Sequence, residues 1–499
     1  MADRPLLALD FGSSALRVLV GTPSGHILDS TEMPTPYTYP DEGNAFAREF
    51  DTHVVSGRIG QLVHKALRAS RVKGAHVAAI GVTSQRQGSV FLGRDGKELY
   101  AGPNMDLRAI MEGAAIDEEM GAEVYRTTGH LPSLMFTLAR TRWFRNSHPA
   151  SYGRMSQVLT IAGWLAYKLT GVAACEPALA GEAGLLDVGK HRRCCDLISK
   201  LDIEASLFPP LVEAGKPVGG LKADVAKKWG LEAGIPVTLA GPDTQSGLVG
   251  MGVVESGQAE LVAGWSSALQ MVTAEPFWDS EMRTWVGCMP IESRWVAESN
   301  MGDGGKAYSW LVSMLFKERN AHEVAERLAL QVPIGSDGAM AFLGPGPDTM
   351  PSAGMRVGAL VFHTPLSFQE VSREQLARAY LENLAYSTRA NLARLENVTG
   401  QKVAVVNLGG GMSRSGLLAS ILANVLNREV HRSMTPEVST HGALLAAAVA
   451  AGEYSDLASA AKSGCCGFRS YQPSIAESAD YEEYYGRWHK TYYALQEAE

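Results

Sequence analysis

The stretch that most constrains the fold is a short apolar run near the start of the chain, closed by an acidic residue and a turn of small residues. The run begins at Leu6 and reads LLALDFGSSALRVLV, with Asp10 where the first apolar stretch ends. The turn and the second apolar stretch contribute Gly12, Ser13, Ser14 and Arg17. A carboxylate at a strand end can hold hydrated Mg²⁺, and the N–H groups and hydroxyls of such a turn suit phosphate oxygens. A plain hairpin turn explains the same pattern, so both interpretations stay open here.

Length and composition exclude several classes of protein. At 499 residues the chain is too long for one core and predicts two domains. The formal net charge of −8 offers no electrostatic footprint for nucleic acid, and no apolar run reaches the roughly 18 residues that span a bilayer. The start of the chain lacks a signal-peptide pattern, and the six cysteines are too few for a disulfide scaffold. We therefore expect a cytoplasmic protein with reduced thiols and with neither a membrane nor a nucleic-acid partner.

Three short strands precede the first predicted helix. Residues 6–33 alternate apolar runs with turn residues, whereas a dinucleotide-binding start would place a helix after the first strand. This order favours a ribonuclease-H-like core, in which a phosphate loop joins two antiparallel strands. Apolar residues at helical spacing then predict a helix from Asp51 to about Ser70, followed by a buried strand over residues 76–85. Residues 134–171 are predicted to be helical in two pieces.

Polar residues follow that predicted strand and the hairpin after it. Gln85, Arg86 and Gln87 stand at the exit of the strand, where α/β proteins place ligands. Asn104 and Asp106 precede a helix rich in Glu and Ala. Asp106 is a natural N-cap for that helix, and the same polar set is suited to binding a polyol, so the sequence leaves both roles open.

A second acidic residue stands at the mouth of a strand near the middle of the chain. An apolar strand over residues 235–240 leads into Asp243, Thr244 and a glycine-rich helix. A helix N-cap explains this position. A general base held at a sheet edge near a domain junction explains it equally well.

The second half of the chain repeats the logic of the first. Residues 258–273 form a predicted strand, a turn that contains Gly264 and Ser266, and another strand. A third turn follows the predicted strand of residues 402–407 and contributes Gly409, Gly410, Gly411 and Ser413. Glycines let the backbone lie flat against a ligand, and the N-terminus of the next helix favours anions. Strand–turn–strand sites in both halves predict two domains of the same basic topology that face each other.

Taken together, these segments resemble the FGGY family of carbohydrate kinases over about residues 6 to 460. The matching segments are DFGSSALR, TSQRQG, NMDLRA, residues 128–144, LTIAGWLAYKLTG, AGPDTQSGLVGMGVV, AGWSSA, NLGGGMSRSGLLASILANVL and HGALLAAAVAAGEYSDL, in the family order. Several other segments, such as EVYRTTG and GLLDV, are similar to autoinducer-2 kinases, and after them to xylulokinases and other pentulose kinases. The resemblance implies an α/β fold of two ribonuclease-H-like domains flanking a central cleft, of the actin, hexokinase and Hsp70 type.

The resemblance also implies an activity and a set of site residues. The activity is ATP-dependent phosphorylation of a hydroxyl of a ketopentose or a similar open-chain polyhydroxy compound, with Mg²⁺. Asp243 matches the position of the family's catalytic base, and Asp10 and Asp243 match the positions that bind the metal ion. The positions that match the family's ATP-binding residues are Asp10, Gly12, Ser13, Ser14, Arg17, Gly264, Ser266, Gly409, Gly410, Gly411 and Ser413. The positions that match the family's sugar-binding residues are Gln85, Arg86, Gln87, Asn104, Asp106, Asp243 and Thr244.

The resemblance divides the chain into an N-terminal domain over residues 1–247, with the sugar site, the first phosphate loop and the catalytic Asp, and a C-terminal domain over residues 248–499, which binds ATP through its adenosine part. One departure concerns the second phosphate loop, which usually reads Gly-Thr-Ser or Gly-Thr-Phe in the family and here has Trp265 in the place of Thr. This departure motivates an alternative function, a non-catalytic sugar or nucleotide sensor on the same fold. An actin- or chaperone-type ATPase has the same phosphate loops, but this alternative leaves the NMDLRA and QRQG stretches without a function, because such an ATPase has no sugar acceptor. A homodimer is the default expectation for the assembly.

Overall fold

The computed structural model describes residues 4–40, 44–347, 357–363 and 370–497, and it has two large sheets with helices around and between them. In the first half the strands are β1 (Leu6–Phe11), β2 (Ala15–Gly21), β3 (Ile27–Pro34), β4 (Ile80–Ser84), β5 (Ser89–Gly93), β6 (Glu98–Gly102), β7 (Met155–Thr160), β8 (Leu186–Asp187), β9 (Arg192–Arg193), β10 (Pro217–Gly220) and β11 (Pro236–Pro242). In the second half they are β12 (Ala259–Ala263), β13 (Ser267–Thr273), β14 (Trp285–Cys288), β15 (Trp295–Asn300), β16 (Met340–Phe342), β17 (Ala359–Val361), β18 (Val405–Gly409), β19 (Glu429–Ser433) and β20 (Phe468–Tyr471).

The helices connect these strands and cover the sheets. They are α1 (Thr52–Ala69), α2 (Ile110–Thr128), α3 (Thr137–Ser147), α4 (Pro149–Tyr152), α5 (Ile161–Thr170), α6 (Pro177–Glu182), α7 (Cys195–Lys200), α8 (Ala223–Trp229), α9 (Asp243–Met251), α10 (Gly304–Leu315), α11 (Ala321–Ala329), α12 (Arg373–Thr399), α13 (Gly416–Leu426), α14 (Val438–Ala450), α15 (Leu457–Gly464) and α16 (Ile475–Gln496). The predicted helix after Asp51 is α1, and the Asp51 carboxylate accepts hydrogen bonds from the first-turn N–H groups of His53 and Val54. None of the helices in the described ranges is both long enough and apolar enough to cross a membrane.

The two large sheets share one pattern of strand pairing. The first has the order β10-β11-β4-β1-β2-β3, in which β1 pairs antiparallel with β2 and parallel with β4. The second has the order β14-β15-β13-β12-β18-β19-β20, in which β12 pairs antiparallel with β13 and parallel with β18. Each half therefore has a strand–turn–strand unit beside a parallel strand, as the repeated turn pattern of the sequence predicted.

One predicted element is wrong. Residues 134–171, predicted to be helical in two pieces, contain the strand β7 between α4 and α5. This strand pairs antiparallel with β5 in a small sheet of order β6-β5-β7. A short apolar run of this length fits a strand or a helix equally well from its periodicity, and pairing with the β5–β6 hairpin decides the outcome.

The helices α9 and α14 pack against each other between the two sheets. α14 lies on strands β1, β4 and β11 of the first sheet, and α9 touches β12 and β18 of the second. Small residues permit this close packing: a Cβ added at Gly442 would overlap the carbonyl oxygen of Ser246, and a Cβ added at Gly250 would overlap that of Val438. Apolar residues from both halves of the chain form one buried cluster around this pair. The distance between the sheets is therefore set by helix backbones in contact.

The far edge of the second sheet docks on the first half of the chain. The indole N–H of Trp285 in β14 donates to the carbonyl of Leu131 over 2.6 Å. The backbone N–H of Val286 donates to Gly129 over 2.9 Å, and the Tyr125 hydroxyl donates to Thr284 over 2.7 Å. These bonds join the edge of the second sheet to the end of α2 and the loop that follows it.

We predict that Gly81→Ala destabilises the protein through the contact between α14 and the first sheet. Gly81 lies in β4, and a Cβ added there would overlap the carbonyl oxygen of Ala443. Because backbone would have to move, we expect the free energy of unfolding to fall by at least about 1–3 kcal/mol, measured by urea denaturation. The control is Gly57→Ala in α1, where nothing lies within 4 Å of the added methyl group, and the expected change is a gain of roughly 0.5–1 kcal/mol. Equal stability of Gly81→Ala and the wild type would contradict the packing described here.

Candidate active site between the two sheets

Loops from both sheets meet at a cavity of about 190 Å³. The contributing segments are the β1–β2 turn, the β11–α9 junction, the β12–β13 turn, the loop after β18 and the first turn of α14. Thirteen of the residues that the sequence predicted for the site line this cavity: Asp10, Gly12, Ser13, Ser14, Arg17, Arg86, Asn104, Asp243, Thr244, Gly264, Ser266, Gly410 and Gly411. Parallel strands present their carboxyl ends at one edge of a sheet, which explains why residues so far apart in sequence meet here.

The β1–β2 turn is held from behind by side chains of the first half. The hydroxyl of Thr35 donates to the Gly12 carbonyl over 2.8 Å, and the hydroxyl of Tyr37 donates to the Ser13 carbonyl over 2.7 Å. The amide of Asn104 donates to the Ser13 hydroxyl over 2.9 Å. The turn is therefore fixed before any ligand arrives, which lowers the entropic cost of binding a ligand there.

Gln85 and Gln87 were predicted to bind the sugar, but neither lines the cavity. Gln85 donates to the Tyr37 hydroxyl over 3.2 Å and accepts from the backbone N–H of Asn104 over 3.1 Å, so it braces the loops that do line it. Gln87 has a φ of 67°, and its carbonyl accepts a hydrogen bond from Arg140.

Asp106 also lies outside the cavity, and its predicted role as the N-cap of the next helix is wrong. The N-cap position of α2 is Ala109, which forms no side-chain capping bond. The Asp106 carboxylate is 1% exposed and accepts from the Tyr100 hydroxyl over 2.6 Å and from the Arg108 guanidinium over 2.8 Å. A buried aromatic hydroxyl and a guanidinium satisfy this carboxylate more fully than two backbone N–H groups would.

Of the third glycine turn, Gly409 and Ser413 stand behind the cavity wall. A Cβ added at Gly409 would overlap the carboxylate of Glu260, which would have to shift to make room for it. Ser413 is buried, and its carbonyl accepts from Arg432 over 3.2 Å. Gly410 and Gly411 alone bring this turn to the cavity surface.

Asp10 has a free oxygen at the cavity. One carboxylate oxygen lies 3.5 Å from the Arg17 guanidinium and 3.4 Å from the Thr440 hydroxyl. The other oxygen is buried, and no hydrogen-bond donor in the described ranges reaches it. Burial raises the pKa of Asp10, and the neighbouring Arg17 only partly offsets that effect. An orphaned carboxylate oxygen of this kind suits a cation.

Asp243 is the first residue of α9, and Pro242 occupies the N-cap position. Its carboxylate accepts from the backbone N–H of Thr244 over 2.9 Å. Burial raises the pKa of Asp243 to about 7, and repulsion from the Asp10 carboxylate adds to that effect. The two carboxylates therefore lie near enough to repel each other. Mg²⁺ is usually bound through one or two carboxylates together with waters and phosphate oxygens, and this pair fits such an ion.

Arg86 lines the cavity but is held by carboxylates from both halves of the chain. Its guanidinium forms two bonds of 2.5 Å with Glu298 in β15 and one of 3.1 Å with Glu182 at the end of α6. Gln245 in α9 donates to Glu182 over 2.7 Å, and Gln270 in β13 donates to Glu298 over 2.7 Å. These bonds satisfy a buried charge cluster that crosses the junction between the sheets beneath the cavity.

Sequence reasoning missed four parts of the site. Glu182 and Glu298 hold Arg86, and Arg140 donates to the carbonyls of Gln87 and Asp106 and so fixes both polar loops. The first turn of α14 contributes Ser439 and Thr440 to the lining. Charged residues inside otherwise apolar segments, such as Glu298 in WVAESN, were the available signal, because a charge is buried only where it has a partner.

Two family models match the chain. The N-terminal domain of the FGGY family of carbohydrate kinases matches residues 6–250, and the C-terminal domain of that family matches residues 261–451. The chain belongs to the FGGY family of carbohydrate kinases. It is therefore a phosphotransferase with an alcohol group as acceptor, and membership of a kinase family implies ATP as a substrate.

Two named relatives match the FGGY kinase along almost its whole length. It is 28% identical to the autoinducer-2 kinase of Klebsiella pneumoniae subsp. pneumoniae, over 98% of this chain and 93% of the relative. It is 27% identical to the autoinducer-2 kinase of Yersinia enterocolitica serotype O:8, over 98% of this chain and 94% of the relative.

Solved structures confirm the predicted fold. A gluconate kinase from Lactobacillus acidophilus superposes with a TM-score of 0.87 at 18% identity, over 99% of both chains. A xylulose kinase from Rhodospirillum rubrum superposes with a TM-score of 0.84 at 23% identity, over 99% of both chains. The FGGY kinase thus has the predicted two-domain α/β architecture of the actin and hexokinase type.

Glu260 is a buried carboxyl group behind the third glycine turn of the FGGY kinase, next to Gly409. It lies in β12 and is 0% exposed, and no donor in the described part of the chain reaches either of its oxygens. Burial raises the pKa of Glu260 from 4.5 to about 8. The folded protein therefore holds this group protonated at neutral pH, whereas the unfolded chain ionises it.

We predict that Glu260→Gln removes a pH-dependent loss of stability. Between pH 4.5 and about 8 the folded state binds the extra proton, so stability falls as pH rises, by up to about 1.4 kcal/mol per pH unit. Below pH 4.5 both states are protonated and the variant matches the wild type. In urea denaturation from pH 5 to pH 8, the free energy of unfolding of Glu260→Gln should rise steadily relative to that of the wild type. The control Glu118→Gln, on the exposed face of α2, should show the same pH dependence of stability as the wild type. Parallel stability curves for Glu260→Gln and the wild type would refute the protonation of Glu260.

Proposed function

We propose that this FGGY kinase transfers the γ-phosphate of ATP to a hydroxyl of a ketopentose or a similar open-chain polyhydroxy compound, of the xylulose, ribulose or autoinducer-2 type, with Asp243 as the general base. The observation that carries this proposal is that Asp10 and Asp243 line one cavity together with the glycine loops of both halves. A base must lie within hydrogen-bond reach of the hydroxyl whose proton it takes, and Asp243 faces that shared space.

The proposed roles follow the two sides of the cavity. Residues 1–247 contribute the acceptor side, with Asn104, Asp243 and Thr244, and also the first phosphate loop at the β1–β2 turn. Residues 248–499 contribute the rest of the nucleotide side, with Gly264 and Gly410. As the acceptor oxygen attacks the γ-phosphorus, its proton passes to the Asp243 carboxylate and ADP leaves with the electrons of the broken P–O bond. Asp10 and Asp243 would hold Mg²⁺, which when bound would neutralise phosphate charge.

The charge of the lining supports an uncharged acceptor. Arg86 is committed to Glu298 and Glu182, and Arg17 lies between Asp10 and Glu32. Both arginines are thus already paired with carboxylates, which offset their positive charge. Amide, hydroxyl and carboxylate groups remain, and these suit the hydroxyls of a polyhydroxy ketone.

A sensor without catalysis is the second candidate, because Trp265 stands in the lining where the family usually has Thr. Turnover decides between the two. An ATP-consumption assay against pentuloses, hexuloses, tetruloses, polyols and the autoinducer-2 precursor should show activity with at least one acceptor. Thermal stabilisation by a ligand with no turnover on any acceptor would favour the sensor. A homodimer and a cytoplasmic location stay predictions.

We predict that Asp243→Asn lowers kcat by about 10²- to 10⁴-fold, because the amide accepts no proton from the acceptor. Calorimetric titration with MgADP should show that the variant still binds nucleotide, so that the loss lies in the chemical step. Asp51→Asn is the matched control, since Asn also caps a helix and Asp51 lies at α1, away from the cavity. Wild-type turnover by Asp243→Asn would rule out the assigned base.

A further inference from the structure

Trp265 is an exposed aromatic residue in the lining of the active-site cavity. It lies in the β12–β13 turn and is 41% exposed. Its backbone is fixed: the Gly264 N–H donates to the Ser266 carbonyl over 3.0 Å, and the Lys306 N–H donates to the Trp265 carbonyl over 3.2 Å. A large apolar ring is thus held by its backbone at a polar site while much of its surface stays uncovered.

A cation covers part of the ring. The Lys306 ammonium, in the first turn of α10, lies 5.3 Å from the centre of the Trp265 ring and also pairs with Asp303 over 3.0 Å. Ammonium groups are attracted to the face of an indole at this distance. The contact restrains the ring from one side, and the remaining surface lines the cavity.

The ring belongs to the nucleotide side of the cavity. Its neighbours Gly264 and Ser266 also line the cavity, and a Cβ added at Gly410 would lie 3.2 Å from the backbone nitrogen of Gly264, so the second and third glycine turns touch. The acceptor-side groups come from the first half of the chain. An indole ring contributes no hydroxyl for a phosphate oxygen, but it offers a flat face, and every nucleobase has a π-face that stacks on such a surface.

We propose that Trp265 binds the nucleotide by stacking on the purine base of ATP and ADP, with Lys306 holding the ring in place. This inference rests on the proposed function, since it assumes that ATP is the phosphoryl donor. Trp265 then replaces the phosphate contact of a Thr hydroxyl by a base contact, and the departure from the usual loop sequence changes how the nucleotide is held.

Calorimetric titration of the full chain with MgADP and with magnesium pyrophosphate tests the proposal. Stacking is worth about 1–3 kcal/mol per base by alanine substitution, so Trp265→Ala should weaken MgADP binding by roughly 5- to 100-fold and raise the KM for ATP without changing the KM for the acceptor. Trp265→Phe should keep most of the affinity. Pyrophosphate, which has no base, should bind wild type and Trp265→Ala equally.

Trp265→Thr separates stacking from a weakened phosphate loop, because the two accounts predict opposite signs. Stacking predicts weaker MgADP binding, whereas tighter binding would overturn the proposal. Trp310→Ala is the matched control, since Trp310 is 52% exposed on α10 and does not line the cavity, and it should bind MgADP as the wild type does.

The remaining outcomes separate this inference from the proposed function. Unchanged MgADP affinity in Trp265→Ala, or a parallel loss of pyrophosphate binding, overturns the stacking and leaves the kinase proposal intact. A wild-type protein that binds no MgADP overturns both.

Discussion

The active site depends on the contact between α9 and α14. These two helices touch through Gly250 and Gly442, where a methyl group would overlap the backbone of the other helix. α9 begins at Asp243, and the first turn of α14 brings Thr440 to within 3.4 Å of the Asp10 carboxylate. The separation of the two carboxylates is therefore fixed by backbone packing. Close-packed interiors deform little, and this gives the site its geometry before ligands bind.

That geometry buries two carboxyl groups, which is unfavourable for their charged forms. Asp10 and Asp243 are both held in a low-dielectric space, and burial raises the pKa of Asp243 to about 7, with a further contribution from repulsion by Asp10. A cation bound between them would relieve this repulsion, which is why the pair is suited to a metal–nucleotide complex. Beneath them, Arg86 joins Glu182 of the first half to Glu298 of the second. The charge cluster thus ties the two sheets together at the floor of the cavity, and the amides of Gln245 and Gln270 donate further hydrogen bonds to its carboxylates.

The predictable parts of the fold were those governed by local sequence. The turn after Asp10, the strand before Asp243 and the glycine run after β18 each combine an apolar strand with small residues, and such patterns are readable in a single sequence. The strand β7 was not predicted, because its neighbour β5 is distant in sequence and pairing decides its structure. Asp106 was misassigned for a different reason: its partners Tyr100 and Arg108 are near in sequence, but they compete with helix capping for its carboxylate. Glu182 and Glu298 were missed because their role exists only where two sheets meet. Local patterns thus predicted which loops face the cavity, and long-range contacts decided which side chains reach it.

The central claim is that a metal–nucleotide complex binds in the cavity shared by Asp10 and Asp243. The most direct measurement is a crystal structure with MnADP, in which the anomalous signal of Mn²⁺ locates the ion independently of the protein atoms. The account predicts a single strong peak about 2 Å from a carboxylate oxygen of Asp10 or separated from it by one water, with Asp243 facing it. A peak, or a bound ADP, on the outer surface of either sheet with the shared cavity empty would contradict the account.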